Sequence, residues 1–181
     1  DREWAEWFKA GGWIHSSVPA IPVSGNHEYT NLKIDGVDRG KQLAIQWRSQ
    51  FSLPPAGDLP DSLAETVYTL TYQGARIIAL NSNRDIETQA KWLEQVLSKN
   101  TSKWTIVTMH HPMFSSGAGR DNANNRKVLK PVIDKYKVDL LLQGHDHTYA
   151  RGHTPVRMSD TKSSKIKSLY VNSVSGPKMY D

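Results

Sequence analysis

The chain contains no cysteine. That excludes a disulfide framework and thiolate metal ligands, so any metal held here is held by nitrogen and oxygen. It does not fix the compartment, because many exported proteins also lack disulfides. Long apolar runs are missing too. None approaches the roughly 18 residues of a transmembrane helix, so no membrane span is expected. The opening Asp1-Arg2-Glu3-Trp4 lacks the charged-then-apolar layout of a secretory signal. Neither sign of charge dominates: 23 Lys and Arg against 18 Asp and Glu give +5, with the basic residues spread along the chain. Their densest cluster, Arg157 to Lys167, sits among Ser, Thr and Asp and reads as a solvated loop, so no nucleic-acid partner is expected.

The 181 residues, 38% hydrophobic and 23% charged, have ordinary globular composition and are read as a single domain over 1–181. Trp4, Trp7 and Phe8 at helical spacing ahead of Gly11-Gly12 predict an opening helix over 1–10. A strand is expected at 20–23, a loop over 30–40, and a helix over 41–51 with Leu43, Trp47 and Phe51 on one face. Glu65 to Tyr72, a Gln73-Gly74 turn and Ala75 to Leu80 predict a hairpin. Amphipathic helices are expected over 85–97, with Ala90, Leu93 and Leu97 inward, and over 125–136, with Val128, Leu129, Val132, Ile133 and Tyr136 inward. They lead into strands at 104–109 and 138–142, and a last strand is expected at 169–174. Helices alternating with apolar strands predict an α/β fold in which helices cover a sheet.

Five of the seven histidines fall in three short motifs: Gly25-Asn26-His27-Glu28, His110-His111-Pro112 and Gly144-His145-Asp146-His147. Each follows an expected strand, and in open α/β sheets the ligand crevice lies beyond the carboxyl ends of the strands. Residues far apart in sequence can therefore share one site. His145 and His147 can turn toward a common centre if Gly144 supplies an unusual backbone angle, and imidazole with amide oxygen suits divalent Zn, Mn or Fe. Taken singly, each motif has a plainer reading. A His-x-His loop also forms surface turns, His110 before Pro112 can simply donate to a carbonyl, and Asn26 suits an Asx-turn. His111 is read as supporting a ligand or facing substrate, and His27 as a possible general acid.

Together the three blocks resemble the calcineurin-like metallophosphoesterase superfamily. The stretches Met109 to Ser116 and Gly144 to Arg151 look most like its purple acid phosphatase-like branch. The resemblance implies a metallophosphoesterase-type β-sandwich flanked by helices. It also implies hydrolysis of small phosphate esters by a hydroxide activated at a dinuclear centre of Zn, Mn or Fe. Asn26, His110 and His145 would bind one metal and His147 the other, while His27 would contact the phosphoryl group or protonate the leaving oxygen. Glu28 would orient its neighbours, His111 would face substrate, and Arg151 would pair with a phosphate or with a nearby carboxylate. Secretion or a periplasmic location is the corresponding expectation.

The departure is upstream. The family's Asp-x-His and Gly-Asp blocks, and the tyrosine of the purple acid phosphatase branch, have no counterpart before Gly25. The chain is therefore expected to be a C-terminal part lacking the N-terminal strands and metal blocks. It would be inactive alone and hold at most one metal weakly, with the missing N-terminal segment as its partner. The competing expectation is a non-catalytic module of this type that binds phosphate-containing ligands or a protein partner. Specificity would sit in the loops 30–62, 113–125 and 152–167; the Gly- and Asn-rich part from Ser115 to Asn125 is either substrate-side or a solvated connection.

Overall fold

The computed structural model describes residues 2–153, 168–174 and 178–179. The basic cluster over 157–167 and most of the variable loop 152–167 lie outside the described residues. The chain forms two compact units, one of Asp1–Pro22 and Glu28–Ser52, the other of Val23–His27 and Leu53–Asp181. No helix among the described residues is long and apolar enough to cross a membrane.

The first unit contains α1 (Arg2–Gly11), α2 (Trp13–Ser17), β1 (Tyr29–Ile34), β2 (Val37–Leu43) and α3 (Ile45–Gln50). The expected opening helix is α1, and the chain breaks at Gly12, which takes φ 48. Trp4 sets its ring edge-on to Trp47 and Phe51 at centroid separations of 6.3 and 5.6 Å, and Trp47 is buried. Two expectations fail here. The stretch 30–40 is a hairpin rather than a loop, turned by Asp35 (φ 50) and Gly36 (φ 77), the paired left-handed positions of a type I′ turn. The helix over 41–51 shrinks to α3 because Lys41, Gln42 and Leu43 pair with β1. The strand expected at 20–23 also makes no ladder among the described residues; an apolar run without a neighbouring strand stays irregular.

The second unit holds β3 (Tyr68–Tyr72), β4 (Ala75–Ala79), α4 (Ile86–Ser98), β5 (Trp104–Thr108), α5 (Ala123–Tyr136), β6 (Leu140–Gln143), β7 (Ala150–His153) and β8 (Leu169–Asn172). They form one mixed sheet in the order β3-β4-β5-β6-β8-β7, parallel from β4 to β8 with an antiparallel strand at each edge. The Gln73-Gly74 turn is as expected, with φ 46 and 80; the edge strand β7 was not anticipated. Each of the units β4-α4-β5 and β5-α5-β6 steps one strand in the same direction. Right-handed crossovers then put both helices on one face, where α4 packs on α5. Ile78, Val107 and Leu141 from the sheet meet Leu93, Leu97, Leu129 and Ile133 from the helices, and all are buried. The α/β class is as expected, a central sheet with helices packed on it; a second packed sheet is not among the described residues.

Candidate metal centre

Polar residues gather where the parallel strands end. Asn81-Ser82-Asn83 lie just after β4, His110-His111-Pro112 after β5, and Gly144-His145-Asp146-His147 after β6. The loop at 81–84 is braced from below by Gln89, fully buried on α4. Its Oε1 accepts the Asn81 N–H at 2.8 Å, and its amide donates to the carbonyls of Asn81 and Arg84, each at 2.7 Å. Asn83 then donates to the Ser24 carbonyl at 3.0 Å, which fastens the Gly-Asn-His segment to this end of the sheet.

Three side chains from three segments converge there. His110 Nε2 lies 2.8 Å from Asn26 Oδ1 and 3.0 Å from His145 Nδ1, and His145 Nδ1 lies 3.1 Å from Asn26 Oδ1. Ligand atoms placed at right angles about 2.1 Å from a common ion stand about 3.0 Å apart. The donor set therefore fits one divalent cation, and a cation would satisfy three lone pairs that at most shared protons can satisfy otherwise. His145 holds its place with a left-handed backbone, φ 67, a conformation that a residue with a Cβ adopts only at a cost. This corrects the reading of Gly144, whose φ is not in that region. The unusual angle belongs to the ligand itself.

His111 also approaches, its ring 4.3 Å from that of His145, so that the three histidines offer atoms within 4.8 Å of one another. Its Nδ1, however, lies 2.9 Å from Ser82 Oγ, which also accepts the His111 N–H at 2.9 Å. The tighter set with Asn26 is therefore the better cage. His147 donates from Nδ1 to the Lys178 carbonyl at 2.8 Å, which leaves its ligand lone pair on Nε2. From the loop after Pro112, Arg120 donates to Asp146 Oδ1 at 2.5 Å and contacts His145 Nε2.

The family model described as calcineurin-like phosphoesterase matches residues 1–149. The chain belongs to that family. It is 27% identical to an uncharacterized protein of Mycobacterium tuberculosis over 92% of this chain and 36% of the relative. It is 26% identical to probable purple acid phosphatase 20 of Arabidopsis thaliana over 88% of this chain and 38% of that protein. Mouse acid phosphatase type 7 is 27% identical over 88% of this chain and 38% of its own length. The chain thus spans between about a quarter and somewhat over a third of the curated relatives it matches. Among solved structures, the purple acid phosphatase from yellow lupin seeds superposes with a TM-score of 0.72 at 21% identity, covering 94% of this chain and 33% of that one. That likeness is one of fold.

The electrostatics of the cluster favour neutral rings. Burial pushes His110 down to about 3, helped by His111, His145, His27 and His147, and burial with the charges of His145 and Arg120 holds His111 at about 4. His145 is lowered by burial and then by Arg120. Unprotonated imidazoles are what a metal requires. Among the other residues expected at the site, His27 is exposed, close enough for its charge to be felt at His110 and His145. Glu28 falls in the first unit, where its carbonyl accepts the Ala44 N–H at 2.8 Å. Arg151 is exposed on β7 and lines a cavity of about 320 Å³ with Phe114, Ser116, Tyr170 and Asn172. Ser82, Gln89 and the pairing of Asp146 with Arg120 were missed, although Arg120 stands in the Ser115 to Asn125 stretch read as either substrate-side or a solvated connection. The available signal was the polar Asn81-Ser82-Asn83 run, which ends a strand just as the histidine motifs do.

Proposed function

We propose that this domain is part of a metal-dependent phosphoester hydrolase, a phosphatase or phosphodiesterase acting on small phosphate esters. The reading is carried by the convergence of Asn26 Oδ1, His110 Nε2 and His145 Nδ1 within 2.8 to 3.1 Å of one another, in a chain whose family is that of calcineurin-like phosphoesterases. These three would hold one ion of Zn, Mn or Fe, and His147 a second. When bound, the metals supply Lewis-acid activation of water and neutralise charge on the phosphoryl oxygens. His27, exposed beside the cluster, is placed in the role of proton donor to the leaving oxygen. His111, oriented by Ser82, faces the substrate, Arg151 pairs with a phosphate or with a nearby carboxylate, and Glu28 orients its neighbours. Export to a periplasm or the cell exterior is part of the same reading.

Three neutral donors leave a cation's charge uncompensated, so the isolated chain holds at most one ion weakly and does not turn over. A longer chain carrying Asp-x-His and Gly-Asp blocks ahead of these residues is expected to hydrolyse an aryl phosphate with Zn, Mn or Fe. His110→Ala or His145→Ala should each remove most of that activity; full activity in both variants would contradict the assignment. A non-catalytic phosphate-binding module is the second reading. It is favoured by the acid-free triad, since Asp146, between His145 and His147, bonds to Arg120. It predicts phosphate binding without turnover in the longer chain as well.

A further inference from the structure

The loop after Phe114 is built to deliver one guanidinium. The Arg120 N–H donates to the Gly117 carbonyl at 3.2 Å, closing a turn in which Gly119 takes φ 71. Gly117 is buried, and a Cβ on it would stand 2.7 Å from Arg120 Cδ, so the absent side chain is the space the arginine stem occupies. Asp146 is fully buried, with one oxygen on Arg120 Nε and the other, Oδ2, without a hydrogen-bond partner among the described residues. A buried carboxylate of this kind is stable only beside a counter-charge. Arg120 supplies it while keeping its side chain 31% exposed. Arg126 bonds to Asp121 and the Met113 carbonyl.

The contact between Arg120 and His145 has a consequence for metal binding. A guanidinium has only donors, so His145 Nε2 must accept, and the ring proton sits on Nδ1, the nitrogen that faces Asn26 and His110. A metal on Nδ1 needs the lone pair there and leaves the proton on Nε2, donor facing donor. The loaded triad and the Arg120–His145 contact therefore exclude each other. On loading, the Arg120 terminal nitrogens leave His145 while Nε stays on Asp146, and they point from a rigid tether beside a cationic site. A tetrahedral oxyanion is the ligand whose oxygens match that fork.

We propose that Arg120, carried on Asp146, clamps a phosphoryl oxygen over the loaded triad, and that in the metal-free chain the same guanidinium caps His145. The inference rests on the phosphoesterase reading, and its signature is two effects of opposite sign. By calorimetry, Arg120→Ala is expected to bind zinc a few-fold more tightly than the wild type, because a like charge and a competing hydrogen bond are gone. The zinc-loaded variant should bind inorganic phosphate about ten- to a hundredfold more weakly, the loss that removal of a charge-assisted hydrogen bond brings. Arg120→Lys should fall between, and Asp146→Asn should approach Arg120→Ala for phosphate. Unchanged phosphate affinity in Arg120→Ala overturns the proposal, and so does a parallel loss of zinc and phosphate, the mark of a merely structural role. If zinc fails to bind the wild type, or binds His110→Ala equally well, the metal reading falls and takes this inference with it.

Discussion

Leu141 and Leu142 are neighbours on β6, yet one is fully buried and the other is 41% exposed. The same division runs across the sheet. Ile78, Val107 and Leu141 share the face beneath α4 and α5 and are buried. Ile77, Ile106, Leu140, Leu169 and Val171 on the opposite face are half-buried, and Trp104 is exposed. The two faces are equally apolar, which is how strands covered on both sides are written. Among the described residues only the helix side has its cover. The candidate metal cluster is braced from that covered side: Gln89 on α4 bonds to the 81–84 loop, and Asn125 on α5 donates to the Ser82 carbonyl at 3.3 Å.

The sharpest break of this comparison is a pair of truncations. Leu141→Ala is expected to lower unfolding free energy by about 2 to 5 kcal/mol, as cavity-forming core truncations do. Leu142→Ala should cost less than about 1 kcal/mol in the same urea titration. Equal losses would mean that the open face is packed in solution. Next in size, Gln89→Ala removes two buried hydrogen bonds and one part-buried one and should cost about 2 to 3 kcal/mol. Because it loosens the loop that holds Ser24 and His111, it should weaken zinc binding as well; unimpaired zinc affinity would break the link between α4 and the site. The remaining test is pH. His110 and His111 titrate at about 3 and about 4 when folded, well below the ordinary histidine value of 6.5. The unfolded chain therefore takes up protons first. Stability is full above pH about 6.5 and declines as pH falls from there toward 4. Denaturation midpoints at pH 7.5, 6 and 5 should fall in that order, and saturating zinc should raise all three.

Helical periodicity made α4 and α5 legible, down to Leu93, Leu97, Leu129 and Ile133, because a covered face repeats its apolar residues at fixed spacing. The Gln73-Gly74 turn was legible for its backbone chemistry. The β1-β2 hairpin was not, since its strands are polar and exposed apart from their outer ends, and only the Asp35-Gly36 turn marked it. At the site, the three motifs could be read because each follows a strand. What could not be read were contacts that exist only once the chain is folded: Ser82 on His111, Gln89 under the loop, and Arg120 on Asp146. Arg151 drew notice by standing near the last histidine pair, whereas Arg120, 25 positions from His145, makes the contact.

The most direct test of the central claim is zinc titration of the chain with 15N-labelled histidine, followed by NMR of the imidazole nitrogens. Coordination through His110 Nε2 and His145 Nδ1, lost in His110→Ala and untouched in His153→Ala on the exposed edge strand, is the predicted result. Zinc bound through His15 or His153, or with His110 and His145 unmoved, would contradict the account.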